Sequence, residues 1–432
     1  MDPELIKDCV HCGFCLPTCP TYVLWGEEMD SPRGRIHLMD QHVSGTPLTD
    51  EMAGHFDACL GCMACVTACP SGVRYDRLIE ETRAVVEREH VRTPEERAIR
   101  GLVFALFPYR RRLRALRLPM RLSGRLRPFL ERVNPSLGAM AELTPPPSRP
   151  VRLPRIVSAR GRRRARVGLL TGCVQGEFFP QVNAATARVL ALEGCDVVIP
   201  ARQGCCGALS LHSGREAEAA RFARRTIGTF ERMGVDAVVV NAAGCGSSMK
   251  DYAEVLKDEP GWAERAAGLR VRDLAEFLVE LGPAAERHPL PMSVAYHDAC
   301  HLAHAQGVRS QPRELLRGIP GLELREIAES AICCGSAGTY NLFQPEPARE
   351  LGDRKAAHVL ATGADLLVSA NPGCTMQIAA SVRRAGKGEI RVAHTVEVLD
   401  ASLRGRGPGT LGRSRARDTA RDTAQRTARG AR

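Results

Sequence analysis

No apolar run in this chain reaches the roughly 20 residues that a membrane-spanning helix needs. The opening stretch, MDPELIKDCVHCGFC, lacks the apolar core of a secretion signal, so the expected compartment is the reducing cytosol. There, clustered cysteines serve metals or redox chemistry rather than disulfides. Aromatic residues make up only 4% of the sequence, too few for stacking platforms that hold single-stranded nucleic acid. No P-loop is present, and no paired-carboxylate or triad arrangement stands out. The stretch AGCGSSM at 243–249 has G-x-G without a third glycine, weak evidence for dinucleotide binding.

Lysine is missing from one region where arginine is plentiful. Residues 103–166 hold 17 Arg, no Lys and two acids, and residues 403–432 hold nine Arg against two Asp. The overall net charge is +11, so the rest of the chain is net acidic. The basic residues lie on a connector and a tail rather than on a folded stripe, which argues against nucleic-acid binding.

These composition shifts divide the chain. Residues 1–100 are cysteine-dense and residues 101–166 form a basic connector that ends in the Pro-rich LTPPPSRPVRLPR. From Val167 to about 402, short β-rich runs (VGLL, DVVIP, DAVVVN, SVAYHD, DLLVSAN) alternate with amphipathic stretches such as 214–233 and 345–361. That alternation predicts α/β units with mainly parallel sheets, one over 167–290 and one over 291–402. The tail, 403–432, is of low complexity and reads as disordered.

Cysteine is what the sequence has in excess: 17 residues. Cys9, Cys12, Cys15 and Cys19, followed by Pro20, spell C-x-x-C-x-x-C-x-x-x-C-P. Cys59, Cys62, Cys65 and Cys69, followed by Pro70, repeat the spacing. Three closely spaced thiolates converge on one cubane while the fourth reaches the other cluster. The reading is therefore two [4Fe-4S] clusters, one on Cys9, Cys12, Cys15 and Cys69, the other on Cys59, Cys62, Cys65 and Cys19. Zinc sites use paired cysteines rather than three plus one. The 39 residues between Cys19 and Cys59 leave room for helices, suggested by SPRGRIHLMDQHV and LTDEMAGHFDAC. A helical ferredoxin-type domain is expected. The stretches CVHCGFCLPTCPTYVLWGEEMDSPRGRI and CLGCMACVTACPSGVRY resemble the N-terminal domain of the glycolate oxidase iron–sulfur subunit family.

The second half repeats itself. Cys173, Cys205, Cys206 and Cys245 recur as Cys300, Cys333, Cys334 and Cys374, at offsets of 127, 128, 128 and 129 residues. That is an internal duplication. A bridge between adjacent cysteines closes almost no loop, so the two Cys-Cys-Gly sequences are not staples. Cys173, Cys245 and Cys374 each follow a predicted strand, where open α/β sheets bind ligands. Gly207 and Gly335 would allow tight turns beside the thiolates. Cys195 lies outside both patterns and reads as a small buried apolar residue.

The arrangement resembles the Cys-Cys-Gly domain of heterodisulfide reductase-like proteins, whose fuller pattern ends C-x-x-C. Here Ser248 and Gln377 stand at the last position. A further iron–sulfur cluster, a thiol site and structural cysteines all remain open. In YHDACHLAH, His297, His301 and His304 surround Cys300 and could add a ligand or proton donor, although a hydrogen-bonded role is the commoner one for such a histidine. Asp298 could cap the following segment.

The chain thus has cluster ligands and no recognisable flavin or nicotinamide site. Hydride chemistry belongs to such cofactors, so a separate flavoprotein should supply the electrons. The family resemblance covers residues 9–402, including CCGSAGTYNLFQPE and NPGC. It implies an assembly with FAD-binding subunits that oxidise glycolate or D-lactate and pass electrons to quinone or another acceptor. Two alternatives stand beside it. One is the iron–sulfur subunit of a glycerol 3-phosphate or lactate dehydrogenase; the other is a thiol–disulfide oxidoreductase acting alone. The connector stretch 102–133 mixes Leu, Phe and Val with Arg at helical spacing. It would either pack on this protein or a partner, or lie on the cytoplasmic face of the inner membrane. Pro108, Pro119 and Pro128 should break it into short pieces.

Overall fold

The structure, a computed structural model, describes residues 3–146, 148, 150–386 and 390–412, with the helical backbone alone at 117–123. The N-terminal unit is helical, as its polar–apolar pattern suggests. Helix Pro32–Val43 starts with Ser31, whose hydroxyl accepts from the Gly34 amide at 3.0 Å, and helix Asp50–Ala58 starts with Thr49, which accepts from Met52 at 3.2 Å. Such caps satisfy amides that the first helical turn leaves unpaired. With Tyr75–Glu89, these helices enclose a core of Ile36, Met39, Phe56, Leu78 and Ile79. Full burial of each such side chain contributes about 1.5–3 kcal/mol.

The basic connector is also helical. Thr93 and Glu96 form a capping box at the start of Pro94–Leu106, and Arg110–Ala115, Arg117–Val133 and Pro135–Leu143 follow. Pro108 falls between two helices, as the sequence suggested. Pro119 and Pro128 do not break the chain: both lie within the 17-residue helix Arg117–Val133. Pro119 is in its first turn, where an amide would have no helical partner anyway.

Nine strands occur among the described residues: β1 Ile156–Val157, β2 Ala165–Leu170, β3 Cys195–Val198, β4 Ala237–Val240, β5 Val271–Asp273, β6 Met292–His297, β7 Leu322–Glu326, β8 Leu366–Ser369 and β9 Arg391–Ala393. They make two sheets, β1-β3-β2-β4-β5 and β7-β6-β8-β9. Every pairing is parallel except β1 with β3. Removing β1 leaves β3-β2-β4-β5, the same order as β7-β6-β8-β9, so the cysteine duplication is a duplication of topology. Strands β1, β5, β7 and β9 were not visible in the sequence pattern. They are short or carry charged residues, such as Glu323 and Arg325 of β7, that mask the apolar run.

The two halves share one core. Val167, Leu169 and Leu278 of the first pack with Val294, Leu366 and Val396 of the second. Arg188 reaches across to Asp400 at 2.7 Å. Residues 404–412, assigned to the tail by composition, pack back on the body: Leu411 joins the core and Arg391 donates to the Pro408 carbonyl at 2.9 Å. The rest of the expected disordered tail, 413–432, lies outside the described residues.

Candidate metal and redox centres

Two loops carry the N-terminal cysteines, and both wind in the same unusual way. His11 and Gly13 between Cys9 and Cys15, and Gly61 and Met63 between Cys59 and Cys65, all have left-handed backbone, with φ of 53°, 85°, 61° and 62°. For His11 and Met63 that conformation costs about 1–3 kcal/mol and persists only where the surroundings require it. The left-handed residues, repeated at matching positions, give the two loops the same curl.

The fourth cysteine of each motif lies with the other motif. Cys19 lines a cavity together with Cys59, Cys62, Cys65, Arg35 and Tyr75. Burial raises the Cys9 thiol pKa, and Cys69 is the next neighbour acting in the same direction. Burial likewise pushes Cys65 well up, reinforced by Cys62, Cys59, Cys19 and Cys15.

A single zinc ion, with Zn–S near 2.3 Å, would draw its thiolates to within about 4.6 Å of one another. Among the described residues, the only group of three or more possible metal ligands with all ligand atoms within 4.8 Å is His297, Cys334 and Cys374. The N-terminal thiols are more open than that and line a cavity, an arrangement that suits a cubane rather than one ion.

Arg35 lies beneath the Cys19–Cys59 cavity and is 1% exposed. It donates to the Asp30 carbonyl at 2.6 Å, the Asp30 carboxylate at 3.0 Å and the His55 carbonyl at 2.6 Å. Burial alone would raise the Cys59 thiol. Arg35 and Arg83, with the Gly61 amide at 3.4 Å and the Tyr75 hydroxyl at 3.6 Å, outweigh it and hold the thiol below its ordinary value. Opposite charge and hydrogen bonds to sulfur favour the thiolate, the ligating form. Neither arginine was apparent as part of the site from the sequence, since both contribute through tertiary packing.

In the α/β halves the cysteines sit past the carboxyl ends of β2, β4, β6 and β8. Cys173 precedes helix Val174–Phe178, Cys245 lies in Ala243–Lys250, Cys300 opens the π-helical turn His301–Ala305, and Cys374 lies in Pro372–Ala385. Cys173 Sγ is 3.6 Å from Cys205 Sγ, and Cys206 neighbours both Cys205 and Cys245. In the second half, Cys300 neighbours Cys333, and Cys334 neighbours Cys333 and Cys374. Gly335 has φ of 83°, and a Cβ there would collide with the Ala348 carbonyl of the packed helix Pro345–Ala361. Glycine after the cysteine pair is thus required by the backbone.

Gln377, standing where the family pattern has a last cysteine, is committed elsewhere: it accepts from Asn341 at 3.0 Å and donates to the Ala348 carbonyl at 2.7 Å. Ser248 is buried in helix Ala243–Lys250. Cys195 is fully buried in β3, as expected of a small apolar residue.

The three histidines around Cys300 have different fates. His304 is hydrogen-bonded, 2.7 Å from both Thr67 and Arg309. His301 has its Nδ1 at 3.5 Å from Cys300 Sγ and its ring 4.8 Å from that of His212, which follows the first Cys-Cys-Gly. Its pKa falls to about 3, first through burial and then through His212 and Arg83. His297 is buried with neither ring nitrogen hydrogen-bonded. Asp298 caps no helix; it is paired with Arg313 at 2.6 Å. A buried Lys355, which the sequence did not single out, lies near Cys334 and Cys333 and donates to the Glu329 carbonyl at 2.6 Å.

Residues 5–73 match the 4Fe-4S dicluster domain, and residues 167–250 and 294–379 each match the cysteine-rich CCG domain. Residues 95–144 match the glycolate oxidase iron-sulfur subunit linker region. A probable glycolate oxidase iron-sulfur subunit of Bacillus subtilis (strain 168) is 38% identical over 424 residues, 92% of this chain and 94% of the relative. The chain belongs to the glycolate oxidase iron–sulfur subunit family. The glycolate oxidase iron-sulfur subunit of Escherichia coli (strain K12) is 35% identical, over 93% of this chain and 95% of its own. Lactate utilization protein A of Halalkalibacterium halodurans is 35% identical over 56% of this chain and 99% of its own. A hypothetical protein from Helicobacter pylori shares the fold, with a TM-score of 0.56 at 10% identity over 86% of this chain and 68% of that one.

Iron–sulfur clusters are therefore cofactors of this chain, and as a family of subunits its members work in assemblies with other chains. A bound cluster takes up and releases single electrons. The protein's own contribution is to hold thiolates in a cage, shield them, and bias them with Arg35, Arg83 and hydrogen bonds to sulfur.

Proposed function

We propose that this chain carries electrons from an FAD-binding partner that oxidises glycolate to the 2-oxo acid, and passes them toward quinone. The ligand sets we assign are Cys9, Cys12, Cys15 and Cys69 for one [4Fe-4S] cluster, and Cys59, Cys62, Cys65 and Cys19 for the other. The observation that carries the reading is a series of thiol groups bridged, between the two α/β halves, by a pair of imidazoles. Cys15 neighbours Cys65, and Cys62 shares an apolar cluster with Cys300 and Cys333. The His301–His212 ring pair then leads toward Cys206. Such a series supports one-electron relay rather than chemistry on an organic molecule.

Entry through the first cluster fits its exposure. Cys12 is exposed, flanked by Val10 at 67% and Phe14 at 66% exposure, an apolar collar suited to a flavoprotein partner. The test is anaerobic addition of glycolate to the co-purified native complex, followed by electron paramagnetic resonance. Cluster reduction that requires the flavin-bearing partner supports the reading. Reduction by glycolate with this chain alone sinks it.

The similarity to lactate utilization protein A keeps a lactate-class substrate as the second reading. A thiol–disulfide reductase acting alone is disfavoured, because every Cys-Cys-Gly cysteine except the half-buried Cys245 is buried from an incoming disulfide.

No helix among the described residues is long and apolar enough to cross a membrane. We place the protein in the cytoplasm, with peripheral attachment through helix Arg117–Val133. Leu126, Phe129 and Val133 are exposed there at helical spacing beside exposed Arg125 and Arg132. The preceding segment is not part of that surface. Arg110 donates to the Gly176 carbonyl, Arg112 covers the Tyr109 ring and Arg114 pairs with Glu177, all on the protein's own body.

A further inference from the structure

We propose that the second α/β half holds one mononuclear soft cation of the zinc class, with His297, Cys334 and Cys374 as ligands. Three separate elements bring them together: His297 ends β6, Cys334 belongs to the Cys-Cys-Gly turn, and Cys374 is in the first turn of Pro372–Ala385. Their ligand atoms lie within 4.8 Å of one another, and all three residues are buried.

The histidine points to a ligand independently of the thiols. Both His297 ring nitrogens are buried without a hydrogen-bond partner. An unsatisfied buried polar group costs about 1–3 kcal/mol, so an imidazole left bare on both sides is a poor structural residue. A metal removes that cost.

The duplication supplies an internal control. By the offset that relates Cys173 to Cys300, the first-half counterpart of His297 is Leu170, which packs against Cys173, Cys205 and Cys206. The fold therefore does not need a histidine at this strand end. The first-half thiols also do not form a group of this kind within 4.8 Å. Only the second half has acquired the mixed set.

The chemistry favours zinc. Two thiolates and an imidazole match its preferred donors, whereas magnesium and calcium take oxygen. Two buried thiolates and a neutral imidazole, with the buried Lys355 beside Cys334, leave net negative charge for a cation to balance. Asn371 donates to Cys374 Sγ at 3.4 Å, the kind of outer contact that fixes a ligand's orientation. The Ser336 hydroxyl, buried and without a partner, lies against Gly373, next to Cys374. Asp298 is held by Arg313 and does not take part. Cys300 and Cys333 remain for the contact with Cys62.

The test uses the full chain, purified without oxygen from cells supplied with both iron and zinc. Elemental analysis should find about one zinc beside about eight iron, and zinc-edge X-ray absorption should show a mixed sulfur–nitrogen shell. His297→Ala and Cys374→Ser should each lose the zinc and keep the iron, while Cys206→Ser keeps both. His297→Cys should retain zinc with a sulfur-richer shell, and decides the matter if His297→Ala does not fold. The proposal is overturned by no zinc in the wild type, zinc retained in His297→Ala, or iron beyond eight that depends on Cys374. Loss of zinc from a folded His297→Cys, or its unchanged shell, would do the same.

Discussion

Cys62 of the second N-terminal motif and Cys300 of the second α/β half lie in one buried apolar cluster, with Leu60, Ile332 and Cys333 around them. Burial drives the Cys62 thiol well above its ordinary pKa, and Cys300 is the next group acting in that direction. The ferredoxin-type domain is thus joined to the duplicated unit at its cysteines.

If that junction conducts, Cys333→Ser should leave the N-terminal clusters reducible by the flavoprotein but slow their reoxidation by the acceptor at least tenfold. Stopped-flow absorbance after one pulse of substrate reads both steps. Wild-type reoxidation would return Cys333 to a structural role.

Cross-ligation makes a specific demand on Cys19. Cys19→Ser should damage the cluster assigned to Cys59, Cys62 and Cys65, and spare the one assigned to its sequence neighbours. About four iron should be lost, and the remaining signal should be that of the cluster beside exposed Cys12. Loss of the other cluster would contradict the assignment.

Arg35 neutralises Asp30 where water cannot reach. Arg35→Met leaves that carboxylate without its arginine and the nearby Cys59 sulfur with Arg83 alone. Breaking a buried pair on one side costs about 3–5 kcal/mol, so the melting temperature should drop by several degrees. With a positive charge removed from beside it, the second cluster should also be harder to reduce, its midpoint potential becoming more negative. An unchanged potential in a redox titration would remove Arg35 from the site's electrostatics.

Glu397 and His394 form a capping box in which their pH dependences oppose. Burial raises the Glu397 carboxyl to about 7, so its contribution to stability is complete below its ordinary value of 4.5 and is lost as pH rises toward 7. Burial lowers His394 to about 4, so its contribution is complete above 6.5 and is lost as pH falls toward 4. Between 4.5 and 6.5 the two slopes, each about 1.4 kcal/mol per pH unit, cancel. Glu397→Gln can keep the cap and removes one slope. The melting temperature of the variant minus that of the wild type should therefore increase from pH 4.5 to pH 7. A flat difference would refute the opposition.

For membrane attachment, flotation with anionic liposomes should be lost in high salt and should fall sharply in Leu126→Ser with Phe129→Ser. Each arginine near such a surface contributes about 1 kcal/mol, and salt screens it. Equal flotation of wild type and double variant would leave Arg117–Val133 as a protein-docking helix.

The sequence by itself determined the features whose geometry is local. Cys9 to Cys19 and Cys59 to Cys69 lie within one short segment each, so spacing alone restricts which thiols can converge. Helix Pro345–Ala361 matches its amphipathic stretch, and the 127–129-residue offsets already imply that β3-β2-β4-β5 and β7-β6-β8-β9 repeat. Tertiary structure alone decided which residues from distant segments meet. Arg35 under Cys59, His212 against His301, Cys62 beside Cys300, and His297 with Cys334 and Cys374 are all of this kind. Spacing along a chain says little about such pairs, because strand order and shared cores place them. The duplication could be read in the sequence, but the divergence of its halves at Leu170 and His297 acquired meaning only when packing left one imidazole buried beside two thiols.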